Sequence, residues 1–196
     1  MEFSEVVRRR RMVRNYAYGP VARETLERIA QTAQRGPSAG FSQGVRLVVV
    51  TDSERKRAIA EACDEPAYVA RGFDPWLSRS AALFIPCVSE EVYRARYREP
   101  DKRGPAEPEI EWPVPYWWID VGCTVMLLLL AAVDEGLAAG FLGARRPADV
   151  QAELGMPADF MPVGVVTVGH PAPDRRSGSL KRGWLPFDEF CRWESW

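Results

Sequence analysis

The sequence predicts an α+β fold: a mixed, largely antiparallel sheet wrapped by helices, with a long apolar helix at its centre. Two observations carry this reading. Strand-like and helix-like stretches alternate without the regular rhythm of a doubly wound parallel sheet. An apolar run at residues 121–133 closes on Asp134 and Glu135, too short to span a bilayer and suited to a buried core helix. At 196 residues the chain has the length of one domain with a sizeable core.

The elements follow in order. Phe3, Val6 and Val7 share a helical face, which predicts a first helix over residues 3–11. Gly19-Pro20 opens a second helix, with Leu26, Ile29, Ala30 and Ala33 at helical spacing. Residues 45–51 are β-branched and nearly continuous, as expected of a strand covered on both faces. Asp52 or Ser53 caps a helix running to about Cys63. Residues 81–88 form a second strand candidate, which Pro86 pushes toward a sheet edge or a strand end.

Residues 99–115 break the pattern. Pro100, Pro105, Pro108, Pro113 and Pro115 forbid regular structure, and Glu107, Glu109 and Glu111 keep the segment solvated, so it reads as a lid or binding loop. The central helix follows from about Trp117 to Glu135. Residues 139–143 then form a short strand, residues 147–154 a helix stopped at Gly155, and residues 163–169 a final central strand. The remainder, residues 171–196, is an arm ending in Phe187, Phe190, Trp193 and Trp196, four aromatics that require a surface of this chain or of a partner.

Composition removes several functional classes. A net charge of −1 provides no global field for nucleic acid or an anionic membrane. The cysteines, Cys63, Cys87, Cys123 and Cys191, form no CxxC pair, which argues against a metal centre or disulfide framework and fits a reducing cytoplasm. The amino terminus lacks the apolar stretch of a signal peptide. His170 is the sole histidine and sits in a turn, so it reads as structural, and a serine or cysteine triad is disfavoured.

Four segments carry chemistry. The first is Arg10-Arg11-Met12-Val13-Arg14-Asn15-Tyr16, where clustered guanidinium forks suit a phosphate, although the run by itself is equally a solvated helix end. The second is Pro37-Ser38-Ala39-Gly40-Phe41-Ser42-Gln43, small residues whose backbone approaches a flat ligand, or an ordinary helix-to-strand turn. The third, Gly136 to Gly143, follows the apolar helix and precedes Leu154-Gly155-Met156-Pro157. The fourth is Gly169-His170-Pro171 with Lys181-Arg182 downstream. Between them, Tyr116, Trp117 and Trp118 either pack the start of the central helix or form a pocket wall for a flat substrate.

In this order the four segments resemble the nitroreductase family of flavin enzymes, over nearly the whole chain and least between about Ala58 and Trp112. The resemblance implies a homodimer that holds FMN between protomers. Arg10, Arg11, Met12 and Arg14 would touch its phosphate, ribityl chain and pyrimidine edge, and Pro37, Ser38, Ala39 and Gln43 its ring. Phe141, Leu142 and Gly143 would run along the reactive edge, with a backbone amide near N5, and Lys181 and Arg182 would return to the phosphate. Met12 stands where many members carry Ser, and Phe41 replaces a frequent Asn. Five cations exceed what a phosphate needs, and Arg11 and then Lys181 are the most dispensable. The implied activity is ping-pong hydride transfer from NAD(P)H through flavin N5 to a nitroaromatic, quinone or enone, with no protein nucleophile. Three alternatives stay open: an FMN-dependent dehydrogenase or desaturase of a biosynthetic intermediate, a reductive dehalogenase or flavin-consuming relative, for which no matching lid motif is found, and a non-catalytic binder of flavin or deazaflavin F420.

Overall fold

The structure, a computed structural model, describes residues 1–104, 108, 110–175 and 177–196. The main sheet runs in the order β2 (Val45–Val50), β3 (Ala82–Val88), β6 (Gly164–Pro171), β4 (Ala138–Gly143), and every pairing is antiparallel. Two short strands extend it: β1 (Tyr16–Ala17) along the end of β6, and β5 (Met161–Pro162) along the end of β3. The helices are α1 (Phe3–Arg9), α2 (Arg23–Ala33), α3 (Ser53–Ala62), α4 (Glu65–Val69), α5 (Trp76–Arg79), α6 (Glu90–Tyr97), α7 (Tyr116–Asp134), α8 (Pro147–Glu153) and α9 (Phe187–Phe190).

The two faces of the sheet build two cores. Leu26, Ile29 and Ala33 of α2 and Val125, Leu128, Leu129 and Ala132 of α7 pack with Phe84, Val166 and Val168 on one face. On the other, Ile59, Ala60 and Cys63 of α3 and Trp76 and Leu77 of α5 meet Leu83, Ile85 and Val165. The alternation along β3 and β6 sends successive side chains to opposite layers.

Several expectations need correction. Strand β2 is an edge strand rather than one covered on both faces, and Arg46 and Val49 are exposed. The strand with Pro86 lies inside the sheet and is buried along its whole length. Its own carbonyl accepts from Val163 N–H at 3.0 Å, at the joint where β5 hands over to β6. A residue's N–H and C=O point to the same side of a strand, so the missing donor falls at that joint and costs no ladder bond. The second helix starts at Arg23, after an extended lead from Gly19-Pro20, and the first stops at Arg9.

The central helix α7 is only half buried. Trp118, Ile119, Gly122 and Met126 form an exposed stripe on one face, although the helix is long and apolar enough to cross a membrane by length and composition. In the segment 99–115 expected as a lid, residues 105–107 and 109 lie outside the described residues, among them Pro105, Glu107 and Glu109. At its end Trp112 packs edge-on against Tyr97 and Trp117. In the arm, Trp184, Phe187, Phe190, Trp193 and Trp196 are exposed.

Candidate flavin site

The arginine segment is clipped onto edge strand β4 by backbone. Val13 N–H donates to Ala139 O at 3.0 Å, and its side chain is buried. The Val13 carbonyl lies against Gly140 so closely that a Cβ there would stand 2.3 Å from the oxygen. A buried latch closes the joint: the Tyr16 hydroxyl lies 2.6 Å from Thr167 Oγ1 and 3.2 Å from Val13 O, and Thr167 donates to Gly140 O at 3.3 Å. Burial pushes the Tyr16 phenol well above its ordinary range, so it stays a neutral donor.

With Val13 turned inward, its extended neighbours Met12 and Arg14 face away from the core. Met12 is exposed, and the Arg14 guanidinium lies 5.9 Å from the centre of the Trp76 ring. Arg9 is held by Glu5 on its own helix. Among the described residues no carboxylate pairs with the side chains of Arg10, Arg11 or Arg14, so three guanidinium groups stay available beside β4. Phe141 and Leu142 are half buried at the end of that strand, and Gly143 is open, with nothing near an added Cβ.

The loop of residues 37–43 has its own anchor. Asp120, buried on α7, accepts from Ala39 N–H and from the Tyr93 hydroxyl, both at 2.8 Å. Burial, first, and the neighbouring carboxylate raise the Tyr93 phenol far above its usual range. The Ser38 hydroxyl accepts from Gln43 N–H at 2.7 Å, closing the loop on itself. Gly40, Phe41 and Gln43 all adopt positive φ, and Phe41 is exposed. Left-handed backbone at two non-glycine residues stores strain, a common property of ligand loops.

Segments one and three therefore meet within one chain, and segment two does not join them. Residues 37–43 enter β2 at one edge of the sheet, while residues 141–143 end β4 at the other. Three strand spacings, about 14 Å, separate those edges. Lys181 and Arg182 are exposed on a 3-10 turn, Gly178–Arg182. The tail's contacts with the arginine segment come earlier: Asp174 accepts from Arg14 N–H at 3.0 Å, and Pro173 O from Asn15 Nδ2 at 2.8 Å. His170 approaches Pro20 O at 3.1 Å in a turn contact. Trp117 packs into the core against Tyr93 and Trp112, whereas Tyr116 and Trp118 are exposed.

Sequence reasoning missed the stretch from Tyr68 to Trp76. Tyr68 stacks edge-on with both Phe73 and Trp76, and Arg175 lies 5.7 Å from the Phe73 ring centre. Of these aromatics Trp76, itself buried in the core, lies beneath Arg14 and supports its guanidinium from below. The signal was Gly72-Phe73-Asp74-Pro75-Trp76, an aromatic turn between two strands. Taken together, the guanidinium groups without a carboxylate partner among the described residues and the open glycine edge fit a phosphorylated, flat cofactor.

The model of the Nitroreductase family matches residues 7–170. An FMN reductase [NAD(P)H] of Bacillus subtilis is 30% identical over 181 residues, covering 90% of this chain and 67% of the relative. A 5,6-dimethylbenzimidazole synthase of Rhodospirillum rubrum is 28% identical over 180 residues, covering 89% and 85%. Among solved structures, NfrA1 of B. megaterium superposes with a TM-score of 0.78 at 24% identity, covering all of this chain and 75% of that one, a likeness of fold.

Proposed function

The chain belongs to the nitroreductase family and is a flavin-dependent oxidoreductase, and we propose that it binds FMN and reduces a flat conjugated acceptor with electrons from NAD(P)H. The observation that carries this reading is the clip of Val13 on Gly140, which fixes along β4 a segment whose Arg10, Arg11 and Arg14 have no carboxylate partner among the described residues. When bound, the flavin supplies reversible two-electron chemistry, taking hydride from a nicotinamide and delivering it to a nitroaromatic, quinone or enone.

The chain's own residues bind and orient. Arg10 and Arg11 hold the phosphate, with Lys181 and Arg182 closing from the tail. Arg14, propped on Trp76, places a fixed positive charge at the pyrimidine edge, where negative charge gathers on reduction. The backbone of residues 141–143 lines the reactive edge and adds no charge there. Met12 covers the ring with an apolar, flexible side chain in place of a hydroxyl.

The working unit is a homodimer, and residues 37–43 serve the flavin of the partner protomer. Two features support this: the separation of that loop from Gly143 across the sheet, and the exposed apolar stripe of α7. Gly122 sits in that stripe with nothing near its Cβ position, leaving room for close helix approach. The arm supplies further apolar cover, the segment 99–115 acts as a lid, and the free thiols suit the cytoplasm.

The likeness to the 5,6-dimethylbenzimidazole synthase supports a second reading, in which the flavin serves a biosynthetic conversion and not nicotinamide oxidation. An absorbance spectrum of the purified protein with added FMN, before and after anaerobic NADPH or NADH, decides between them. Bleaching of a bound flavin spectrum is expected. Bound flavin that neither donor bleaches moves the assignment to the second reading, and failure to bind FMN refutes both.

A further inference from the structure

A second cationic concavity adjoins the far end of the arginine segment, where Tyr18, Gly19 and Pro20 help line it and Asn15 bonds Arg79. A cavity of about 370 Å³ opens where β3 begins, lined by Tyr18 and by Ser53, Lys56 and Arg57 of α3 and Ser78 and Arg79 of α5. It sits at the opposite end of the sheet from Gly143, since Ala82 at the start of β3 pairs with Val168 near the end of β6, while Gly143 pairs with Gly164 at its beginning. Helix α5 separates the two places. Its Trp76 stacks under Arg14, and its Ser78 and Arg79 line the cavity.

The charge balance of this cavity is incomplete. Lys56 is 9% exposed, and its ammonium donates to Ser80 O without a carboxylate partner among the described residues. Burial lowers its pKa, and Asp52 only partly opposes that shift. Arg57 is exposed and likewise lacks an ion-pair partner among the described residues. Arg79 is the compensated cation: Asp74 lies at 3.1 Å, and Asn15 Oδ1 accepts from it at 3.2 Å. Its Nε is nonetheless buried with no hydrogen-bond partner, and its guanidinium lies 5.5 Å from the centre of the Tyr18 ring at the rim. Two of the three cations, Lys56 and Arg57, have no ion-pair partner among the described residues, while Asp52 acts on Lys56 from a distance and the Glu65 carboxylate lies behind Ser78. A compact dianion with several acceptor oxygens matches those two unpaired cations.

We propose that the cavity between α3 and α5 is an anion site that takes a phosphate dianion, free or as the terminal group of a phosphomonoester. Lys56 provides a preset, partly desolvated charge at the floor. Arg57 supplies a mobile fork at the mouth, and Ser53 accepts or donates as the ligand requires, while the Ser78 hydroxyl stays on Glu65 at 2.6 Å.

The test is calorimetric titration of FMN-saturated protein with inorganic phosphate, and separately with AMP, at constant ionic strength held by chloride. One saturable site per chain is expected, weakened about tenfold by Arg57→Ser and unaffected by Arg10→Ser. Lys56→Met weakens it further, and if that variant fails to fold, Arg57→Ser carries the test alone. Tighter binding of AMP, still sensitive to Arg57→Ser, assigns the site to a phosphomonoester; tighter binding of phosphate assigns it to the free ion. Absence of saturable binding overturns the proposal. So does binding lost in Arg10→Ser and kept in Arg57→Ser, which places the anion in the arginine segment. If the protein binds no FMN, the same titration on the Arg10→Ser background answers the question independently of the flavin reading.

Discussion

Replacing Gly140 by alanine tests the joint on which the site is built. The added Cβ would stand 2.3 Å from Val13 O, a backbone atom that no rotamer change can move aside. Carbon and carbonyl oxygen settle no closer than about 3.3 Å, so the strand bearing the arginines must retreat by about 1 Å. That retreat breaks the 3.0 Å bond from Val13 N–H to Ala139 O. Overpacking of this kind costs about 1–3 kcal/mol and the lost hydrogen bond about 1 kcal/mol, which together predict a loss of about 2–4 kcal/mol. The displaced guanidinium groups should also weaken FMN binding by about tenfold or more. Urea unfolding measures the first effect, and quenching of flavin fluorescence on binding measures the second. Gly143→Ala is the control, since nothing in the chain lies near its Cβ position. It should leave stability within about 0.5 kcal/mol and still weaken FMN binding, because the methyl group enters the space assigned to the ring. A Gly140→Ala protein that unfolds at the wild-type urea concentration and keeps wild-type affinity would refute the reasoning.

Three further outcomes follow from the geometry. Asp120→Ala leaves Ala39 N–H and the Tyr93 hydroxyl without their acceptor and should cost about 2–4 kcal/mol in denaturant unfolding, with Asp120→Asn retaining part of that through its amide oxygen. Arg14→Ser should weaken FMN binding about tenfold in the fluorescence titration while leaving the unfolding midpoint unchanged, because its side chain pairs with no carboxylate among the described residues. Burial pushes the Cys63 thiol up to about 11, so iodoacetamide at pH 8 should spare Cys63 in the native protein and modify it once the chain is unfolded in urea. The same shift fixes a sign for stability. The native thiol keeps its proton above the value of 9.0 at which the unfolded one loses it, so the contribution is complete below about pH 9 and disappears as pH rises toward 11, readable as a falling unfolding midpoint.

Legibility in the sequence depended on how local the cause was. The apolar run of α7 and the capped helix after Asp52 are written in neighbouring residues, and both appear where their patterns place them, with Asp52 accepting from Arg55 N–H at 2.9 Å. The order of the four segments was equally readable. What depended on distant partners was not. Pro86 argues for an edge when only its missing donor is considered, and the tolerance of that loss comes from the joint at Val163. β-branched residues 45–51 suggested full cover, yet strand order, which no local pattern encodes, leaves β2 at the edge. Asp120 is one polar residue in an apolar helix. Its purpose lies in Ala39 and Tyr93, 81 and 27 positions away. The aromatic turn before α5 escaped notice because its relevance comes from the packing of Trp76 beneath Arg14.

The placement of the arm has a consequence for the order of events as the protein folds. Every strand of the sheet ends by Pro171, and the exposed aromatics of the arm, from Trp184 on, all follow it. The sheet therefore needs nothing from the arm to close, and it forms before the arm's aromatics find their cover. Refolding should accordingly separate into two clocks: an early unimolecular phase independent of protein concentration, and a later bimolecular phase whose rate scales with it.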